Sequence, residues 1–353
     1  MEKKSFDFLK RLIDTMSPSG FEEEAAKIWR NRTKKFVDEI KIDILGNSIA
    51  VLKKGGNPRI MFAGHIDEIG FMVKYVSKGG YIYFSAIGGI DSHLIPGRRV
   101  LINTKKGKVL GVIGRKPVHL LEVEERKKVS KIEELWIDIG AKDEKEAKSI
   151  VDIGDPIVFN VGLEALNNDM VVGRGFDNKA GAFVISETLK FLSQGRHKAS
   201  LYGVATVQEE IGLRGAKASA YGISPDVGIA IDVTFATDFP SMDKKKSGDI
   251  KIGKGPVIAR GPNINPKIFD LLIEVAKKGK IPYQVEGISK ATGTDANVIQ
   301  LTKSGVAAGL VSIPVRYMHT QVELLSLKDL ENTSKLLSAF VLRFNNETNL
   351  IPG

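Results

Sequence analysis

The spacing of apolar residues divides the chain into three stretches of different texture. In the first, Phe8, Leu9, Leu12, Ile13 and Met16 recur at helical spacing. Ser17-Pro18-Ser19-Gly20 breaks that pattern, and a second helix is expected over residues 22–35. Ile40, Ile42 and Ile44 alternate as in a strand, Gly46-Asn47 turns, and Ile49 and Val51 continue a hairpin. A short buried strand, Ile60-Met61-Phe62-Ala63, then runs into Gly64-His65-Ile66-Asp67-Glu68. Between about residues 70 and 160 the pattern changes to short β segments separated by glycine turns, at 71–76, 81–84, 99–102 and 109–113. Residues 116–130 are polar and read as a long loop, and Asp143 is expected to cap a helix through Ala147 and Ile150. This middle stretch reads as a β-rich domain inserted into an α/β one.

From Met170 the α/β rhythm returns. Val171-Val172 leads to Gly175-Phe176-Asp177-Asn178-Lys179, and Val184, Ile185 and Leu189 mark the inner face of a following helix. An apolar strand over 199–207 ends in Gln208-Glu209-Glu210, with a helix expected near Ala216. Further strands are expected at 227–231, ending in Asp232, and at 306–312, with 313–319 as an exit loop. Asn265-Pro266 starts a helix, with the cap followed by proline at the first helical position. Another helix is expected over 295–302, and Ser326 with Asp329 has the spacing of a capping box for the last one.

Composition narrows the chemistry. The 353 residues contain no cysteine, so disulfides and thiolate metal sites are excluded, and a metal must be held by histidine and carboxylate. The five histidines are His65, His93, His119, His197 and His319. Hydrophobic content of 42% and charged content of 27% describe a globular protein. No apolar run is long enough to cross a bilayer and no leader precedes Phe6, so a cytoplasmic location is expected. The net charge of +10 comes with only short basic runs that do not alternate with aromatics, so a lysine-rich solvated surface is expected rather than a nucleic-acid interface.

Candidate chemistry gathers where the expected strands end. His65 and Asp67 follow one strand, Asp177 another, Glu209 and Glu210 the next, then Asp232 and His319. Open α/β sheets place ligands at the carboxyl ends of their strands. Two adjacent glutamates in a cleft need counter-charge, because neighbouring carboxylates cannot both stay ionised cheaply. A lone histidine there is more often a structural residue, and a lone aspartate more often a helix cap. Taken jointly, two histidines and several carboxylates suit two borderline divalent ions such as Zn²⁺ or Co²⁺. One glutamate would then remain as general base, with Asp67 placed to orient the ring of His65. His93, His119 and His197 show no ligand spacing.

Five motifs carry a resemblance. Gly64-His65-Ile66-Asp67-Glu68-Ile69-Gly70, Gly175-Phe176-Asp177-Asn178, Val207-Gln208-Glu209-Glu210-Ile211-Gly212, Ile231-Asp232-Val233-Thr234 and Arg316-Tyr317-Met318-His319 resemble those of the M42 metallo-aminopeptidases, the tetrahedral (TET) aminopeptidases. Ser17-Pro18-Ser19-Gly20-Phe21-Glu22 and Gly293-Thr294-Asp295-Ala296 extend the likeness over essentially the whole chain. The resemblance implies an α/β, mixed-sheet, three-layer zinc-peptidase-like catalytic domain in residues 1–69 and 163–353. It implies an inserted β-rich dimerisation domain in residues 70–162, with dimers building a tetrahedral dodecamer. Asp177 would bridge two metals, His65 and Asp232 complete one site, and Glu210 and His319 the other. Glu209 would be the general base acting on a water shared by the metals, with Asp67 supporting His65. Gly293, Thr294, Asp295 and Arg316 are candidates for the substrate pocket, and a cis peptide is expected between Asp177 and Asn178. Many members have Asp-Asp-Arg where this chain has Asp177-Asn178-Lys179, a departure that keeps the bridging aspartate. The expected substrates are short peptides shortened from the N-terminus. The alternatives are a dinuclear carboxypeptidase or deacylase of the same clan and a non-catalytic assembly protein of the same fold.

Overall fold

The computed structural model describes residues 1–195, 197–344 and 348–352. Helices α1 (Lys3–Asp14) and α2 (Glu23–Thr33) precede strands β1 (Glu39–Ile42), β2 (Ser48–Leu52) and β3 (Arg59–His65). The alternation expected through Ile44 stops at Ile42, and Ile44 lies fully exposed in the turn that Asp43 closes with hydrogen bonds from Leu45 and Asn47.

The chain then leaves for a closed barrel of β4 (Gly70–Val76), β5 (Ile82–Ile87), β6 (Arg99–Thr104), β7 (Gly107–Gly114), β8 (Trp136–Asp138) and β9 (Pro156–Phe159). Closure leaves these strands without a free edge. The barrel has its own core, in which Phe71 meets Phe84 and Phe159 edge-on at ring separations of 5.0 and 5.4 Å. The polar stretch after β7 is not all loop: it carries a helical turn at Val118–Leu120 and the short helix α3 (Val123–Arg126). Helix α4 (Glu144–Ile150) follows, capped by Asp143, whose carboxylate accepts from the Glu146 amide.

The return passes β10 (Glu164–Ala165) and β11 (Met170–Gly173) to α5 (Phe176–Leu192) and β12 (Ser200–Thr206). Helix α6 (Arg214–Ile223), β13 (Val227–Phe235), α7 (Lys244–Ser247), β14 (Val257–Arg260), α8 (Pro266–Lys278) and β15 (Gln284–Gly287) come next. The chain closes with α9 (Ala296–Gln300), β16 (Ala307–Val315), β17 (Glu323–Ser326) and α10 (Leu327–Arg343). The main sheet is mixed and eight-stranded, in the order β1-β2-β12-β3-β13-β16-β14-β15. Its middle strands β12, β3, β13 and β16 are mutually parallel, so their carboxyl ends lie at one rim.

Alternation along β3 shows why three layers form. Ile60 and Phe62 join the core under α1, α5 and α10, whereas Met61 and Ala63 join the core under α6 and α9. Successive strand residues face opposite ways, so this strand needs a cover on each side. Gly64 and Gly181 allow the close approach of α5: a Cβ on Gly64 would stand 2.9 Å from the Gly181 backbone.

Two strands outrun their expected ends. β13 continues past Asp232 to Phe235 and β16 past Ser312 to Val315, because the two pair through Val233–Ile313, Thr234–Pro314 and Phe235–Val315. Asp232 therefore sits within a strand rather than after one. Ser326 caps α10 by accepting from the Lys328 amide, but Asp329 does not complete a capping box. Its carboxylate accepts instead from the amides of Gly253 and Gly255 at 2.6 and 2.8 Å. Among the described residues no helix is long and apolar enough to cross a membrane.

Candidate active site

The rim of the parallel strands collects the residues that chemistry singled out. His65 ends β3, Glu209 and Glu210 follow β12, Asp232 lies in β13, His319 follows β16, and Asp177 opens α5. Nε2 of His65 is 3.1 Å from Oδ1 of Asp177, and Nε2 of His319 is 3.2 Å from Oδ2 of the same carboxylate. Nε2 of His65 is also 3.7 Å from Asp232 Oδ1 and 3.8 Å from Glu209 Oε2. Nε2 of His319 is 3.6 Å from Glu210 Oε2. Donor atoms of His65, Glu209 and Asp232 lie within 4.8 Å of one another, and so do those of His65, Asp177 and Glu210.

The start of α5 is shaped for this. The Asp177–Asn178 peptide is cis, and both residues have non-helical backbone angles. Asn178 donates to the Ile231 carbonyl at 2.7 Å and accepts from the Gly181 amide at 3.0 Å, so it fastens this turn to β13 beside Asp232. The barrel supplies another wall through the turn after β5. Gly88 has φ +77°, and a Cβ there would stand 2.8 Å from Ile69 and 3.5 Å from Glu210. A side chain at Gly88 would thus be strained and crowded together.

Burial dominates the electrostatics. It pushes the Glu209 carboxyl up to about 10, with Asp232, Asp295 and Glu210 adding to the effect against the pull of His65. Burial and then Asp177 push Glu210 up to about 7, and the Asp232 carboxyl is raised well above the usual range mainly by burial. Burial opposes the charge on Asp177 too, yet hydrogen bonds from His319 and His65 hold it below the ordinary range. The Asp177 hydrogen bond lifts His319 to about 9, and on His65 the surrounding carboxylates, Glu209 foremost, outweigh burial. Four carboxylates thus face two imidazoles in a site that repels its own charge. Oε1 of Glu210 is buried with no hydrogen-bond partner. A nitrogen-and-oxygen donor set with surplus negative charge and an orphaned carboxylate oxygen fits divalent ions.

Buried carboxylates hold the backbone around these residues. Asp67, expected to orient His65, lies beside it: its own carbonyl is 3.2 Å from His65 Nδ1 and its carboxylate 3.5 Å away. That carboxylate accepts from the amides of Glu209 and Glu210 at 3.1 and 3.2 Å and from the Ser19 hydroxyl at 2.6 Å. Glu22 accepts from the neighbouring Gln208 amide at 3.1 Å. The Ser17–Glu22 motif therefore braces the exit of β12. On the opposite side Glu323, 1% exposed, accepts from the amides of Asp177 and His319, each at 3.0 Å. Sequence reasoning missed Glu323; the available signal was an acid just before Leu324-Leu325, four residues after His319. It also missed Glu68, which binds Arg174 at 2.6 Å and Lys179 at 2.8 Å in full burial, giving the lysine of the departing Asp177-Asn178-Lys179 motif a structural partner.

The remaining expected residues fall in several places. Gly293 and Thr294 line a cavity of about 660 Å³ together with the histidines and carboxylates. Asp295 is buried beside it and accepts from the Thr206 hydroxyl at 2.6 Å. Arg316 lies away from that cavity, in an ion pair with Asp238 at 2.8 Å. His93 and His119 are exposed on the barrel, and His197 is hydrogen-bonded to the Ala199 carbonyl.

The profile of the M42 glutamyl aminopeptidase family matches residues 46–336. The chain belongs to the M42 family. It is accordingly a peptide hydrolase of a metal-dependent family. A lysyl aminopeptidase of Pyrococcus furiosus is 41% identical over 340 residues, covering 95% of this chain and 96% of that protein. The crystal structure of a TET aminopeptidase from a marine sediment archaeon of the Thaumarchaeota superimposes with a TM-score of 0.94 at 38% identity, covering 98% and 97% of the two chains. The Pyrococcus horikoshii TET1 peptidase, which can assemble into a tetrahedron or a large octahedral shell, has a TM-score of 0.87 at 34% identity over 96% of this chain and all of that one. The two solved structures superimpose over nearly all of this chain, the α/β sheet and the β-barrel alike.

Proposed function

We propose that this M42 chain is an aminopeptidase working with two divalent ions, Zn²⁺ or Co²⁺, and with Glu209 as general base. The observation that carries the reading is the placement of Asp177. Its two oxygens face different histidines, at 3.1 and 3.2 Å, as a carboxylate shared between two ions requires. His65 and Asp232 would hold one ion, Glu210 and His319 the other. When bound, the ions lower the pKa of water and polarise the scissile carbonyl. Glu209, on the cavity wall beside Asp232 and His65, would be held ionised by the neighbouring cations against the burial that raises its carboxyl, take the proton from the attacking water and deliver it to the leaving amine. Asp67 and Glu323 hold the amides of the residues that do this work.

Two measurements test the reading. Peptides with a free N-terminus should be shortened stepwise, and the same peptides acetylated should not; equal rates would refute an aminopeptidase. Glu209→Gln should keep two ions per chain and slow turnover by ~10²–10⁴-fold. Glu210→Gln should lose or weaken one ion, with excess metal restoring part of the activity. Loss of metal in the first variant and retention in the second would exchange the two roles.

The barrel, residues 70–162, is the proposed dimerisation domain of a tetrahedral dodecamer in the cytoplasm. Leu110, Val112, Val118, Leu120 and Val123 are all exposed on it, which gives an apolar surface to cover. Light scattering showing a monomer at micromolar concentration would refute the assembly, and charged substitutions at Leu120 and Val123 should yield smaller species.

A further inference from the structure

A carboxylate outside the metal group shares its cavity. Glu286 projects from β15, the edge strand of the main sheet, into the wall between the metal-site cavity and an adjoining cavity of about 640 Å³. Phe239, Met242 and Tyr317 line the second cavity with the shared residues Phe235 and Met318, and Lys246 and Asp249 line it too. Glu286 is half-buried, and its Oε2 accepts from Thr234 Oγ1 at 2.9 Å. Thr234 stands two residues beyond Asp232 on β13, so the two share a face and are about 6.6 Å apart along the strand.

Glu286 differs from the other acids nearby. Asp249 on the second cavity is neutralised by Lys244 at 2.9 Å and Lys251 at 3.4 Å, and Asp238 by Arg316. Among the described residues no lysine, arginine or histidine pairs with Glu286: burial raises its carboxyl above the usual range and only the Thr234 hydrogen bond opposes that. Lys246 lines the adjoining cavity but is not paired with Glu286, so a half-buried carboxylate with one neutral partner stands in the wall of the metal-site cavity, open to a substrate's cation.

We infer that Glu286 selects substrates whose N-terminal residue is lysine or arginine, by pairing with the cationic end of that side chain. The inference rests on the aminopeptidase reading above. The geometry suits a long basic side chain. A lysyl ammonium lies about 6 Å from its own Cα when extended, close to the distance from the Asp232 level to the Thr234 level. Phe235, Ile288, Leu310 and Met318 line the cavity and cover the methylene stem. A glutamyl side chain would bring a second carboxylate to Glu286 and be rejected by like charge.

The test compares kcat/KM for the p-nitroanilides of lysine, arginine, leucine and glutamate. The wild-type order should be lysine and arginine first, glutamate last. In Glu286→Gln the lysine-to-leucine ratio should fall about 10- to 100-fold, the value of a charge-assisted hydrogen bond in a partly buried site. Glu286→Lys should reverse the preference between lysine and glutamate, and Glu286→Asp should restore part of the lysine preference. Metal content of each variant, measured in parallel, should match the wild type. A wild type that cleaves leucine or glutamate best, or a ratio unmoved by Glu286→Gln, overturns this inference while leaving the aminopeptidase intact. Failure on all four substrates, with metal bound, overturns the aminopeptidase reading and this inference with it.

Discussion

On the two-ion proposal, glutamine in place of Glu323 should loosen metal binding although Glu323 is not among the proposed ligands. Its two oxygens accept separate amides, Oε2 that of Asp177 and Oε1 that of His319, each at 3.0 Å. Glutamine offers one acceptor oxygen and one NH₂ group, so one of these two amides must face a donor. The site is 1% exposed, which leaves water no room to substitute. A hydrogen bond to a charged acceptor contributes about 1.5–3 kcal/mol, and a buried donor left unsatisfied costs about 1–3 kcal/mol. One offset exists: burial and Asp177 hold the Glu323 carboxyl well above its usual range, so a neutral replacement relieves some repulsion. The net loss of folding stability should therefore sit near 1–3 kcal/mol. Metal affinity should fall about 10–100-fold, as it does when groups that orient ligands are removed. Chelator competition gives the affinity, and urea unfolding of metal-free protein gives the stability. Glu323→Gln binding both ions within threefold of the wild type, at unchanged turnover, would refute the clamp.

Stripping the protein with a chelator should lower its thermal midpoint, because four carboxylates are left facing one another. Restoring metal to 100 times its Kd should return about 2.7 kcal/mol per site by mass action, read by calorimetry. Gly88→Ala should cost about 1–3 kcal/mol, since its φ of +77° and the 2.8 Å approach to Ile69 both oppose a Cβ; turnover should fall with it, and an unchanged midpoint would contradict the crowding. Lys179→Met should destabilise the fold by about 1–3 kcal/mol in urea, because Glu68 keeps Arg174 but loses the buried ammonium at 2.8 Å.

The α/β rhythm and the inserted β segments were legible because burial imposes period 3.6 on helices and period 2 on strands. His65, Asp177, Glu209, Glu210, Asp232 and His319 were legible for a different reason: few other positions offer ligand atoms near the carboxyl end of a strand. Strand length was less visible. Asp232 and Ser312 read as the ends of β13 and β16, yet Thr234 and Pro314 beyond them pair with each other across the sheet. Pro314 is tolerated because pairing with β14 reaches only Val311 and Ser312, so its missing N–H interrupts no bond on that side. Asp329 has the spacing of a local cap, but two glycine amides 74 and 76 residues away win its carboxylate. Glu323 and Glu286 were hidden because their meaning lies in what reaches them from distant segments. A spacing rule sees neither the amides that Glu323 accepts nor the cavity that Glu286 lines.

The support of this site follows one physical rule. Gln208, Glu209 and Glu210 present three successive amides, and carboxylates take all three: Glu22 the first, Asp67 the next two. Successive amides of this kind form a concavity for anions, here filled from within the chain. Glu323 repeats the device for Asp177 and His319. Gripping the backbone leaves the side chains free to face the cavity, which a grip on the side chains would not. It also places Asp67 and Glu323 behind carboxylates that already repel one another, so the supports add to the negative field they organise. Each clamp is therefore costly among uncompensated carboxylates and favourable beside cations. Asp177 touches both histidines and hangs from Glu323, so an ion at either position steadies the carboxylate the other needs. The two ions proposed for this site should consequently bind with positive coupling, and a chelator titration that removes them as two independent steps of equal affinity would contradict this account.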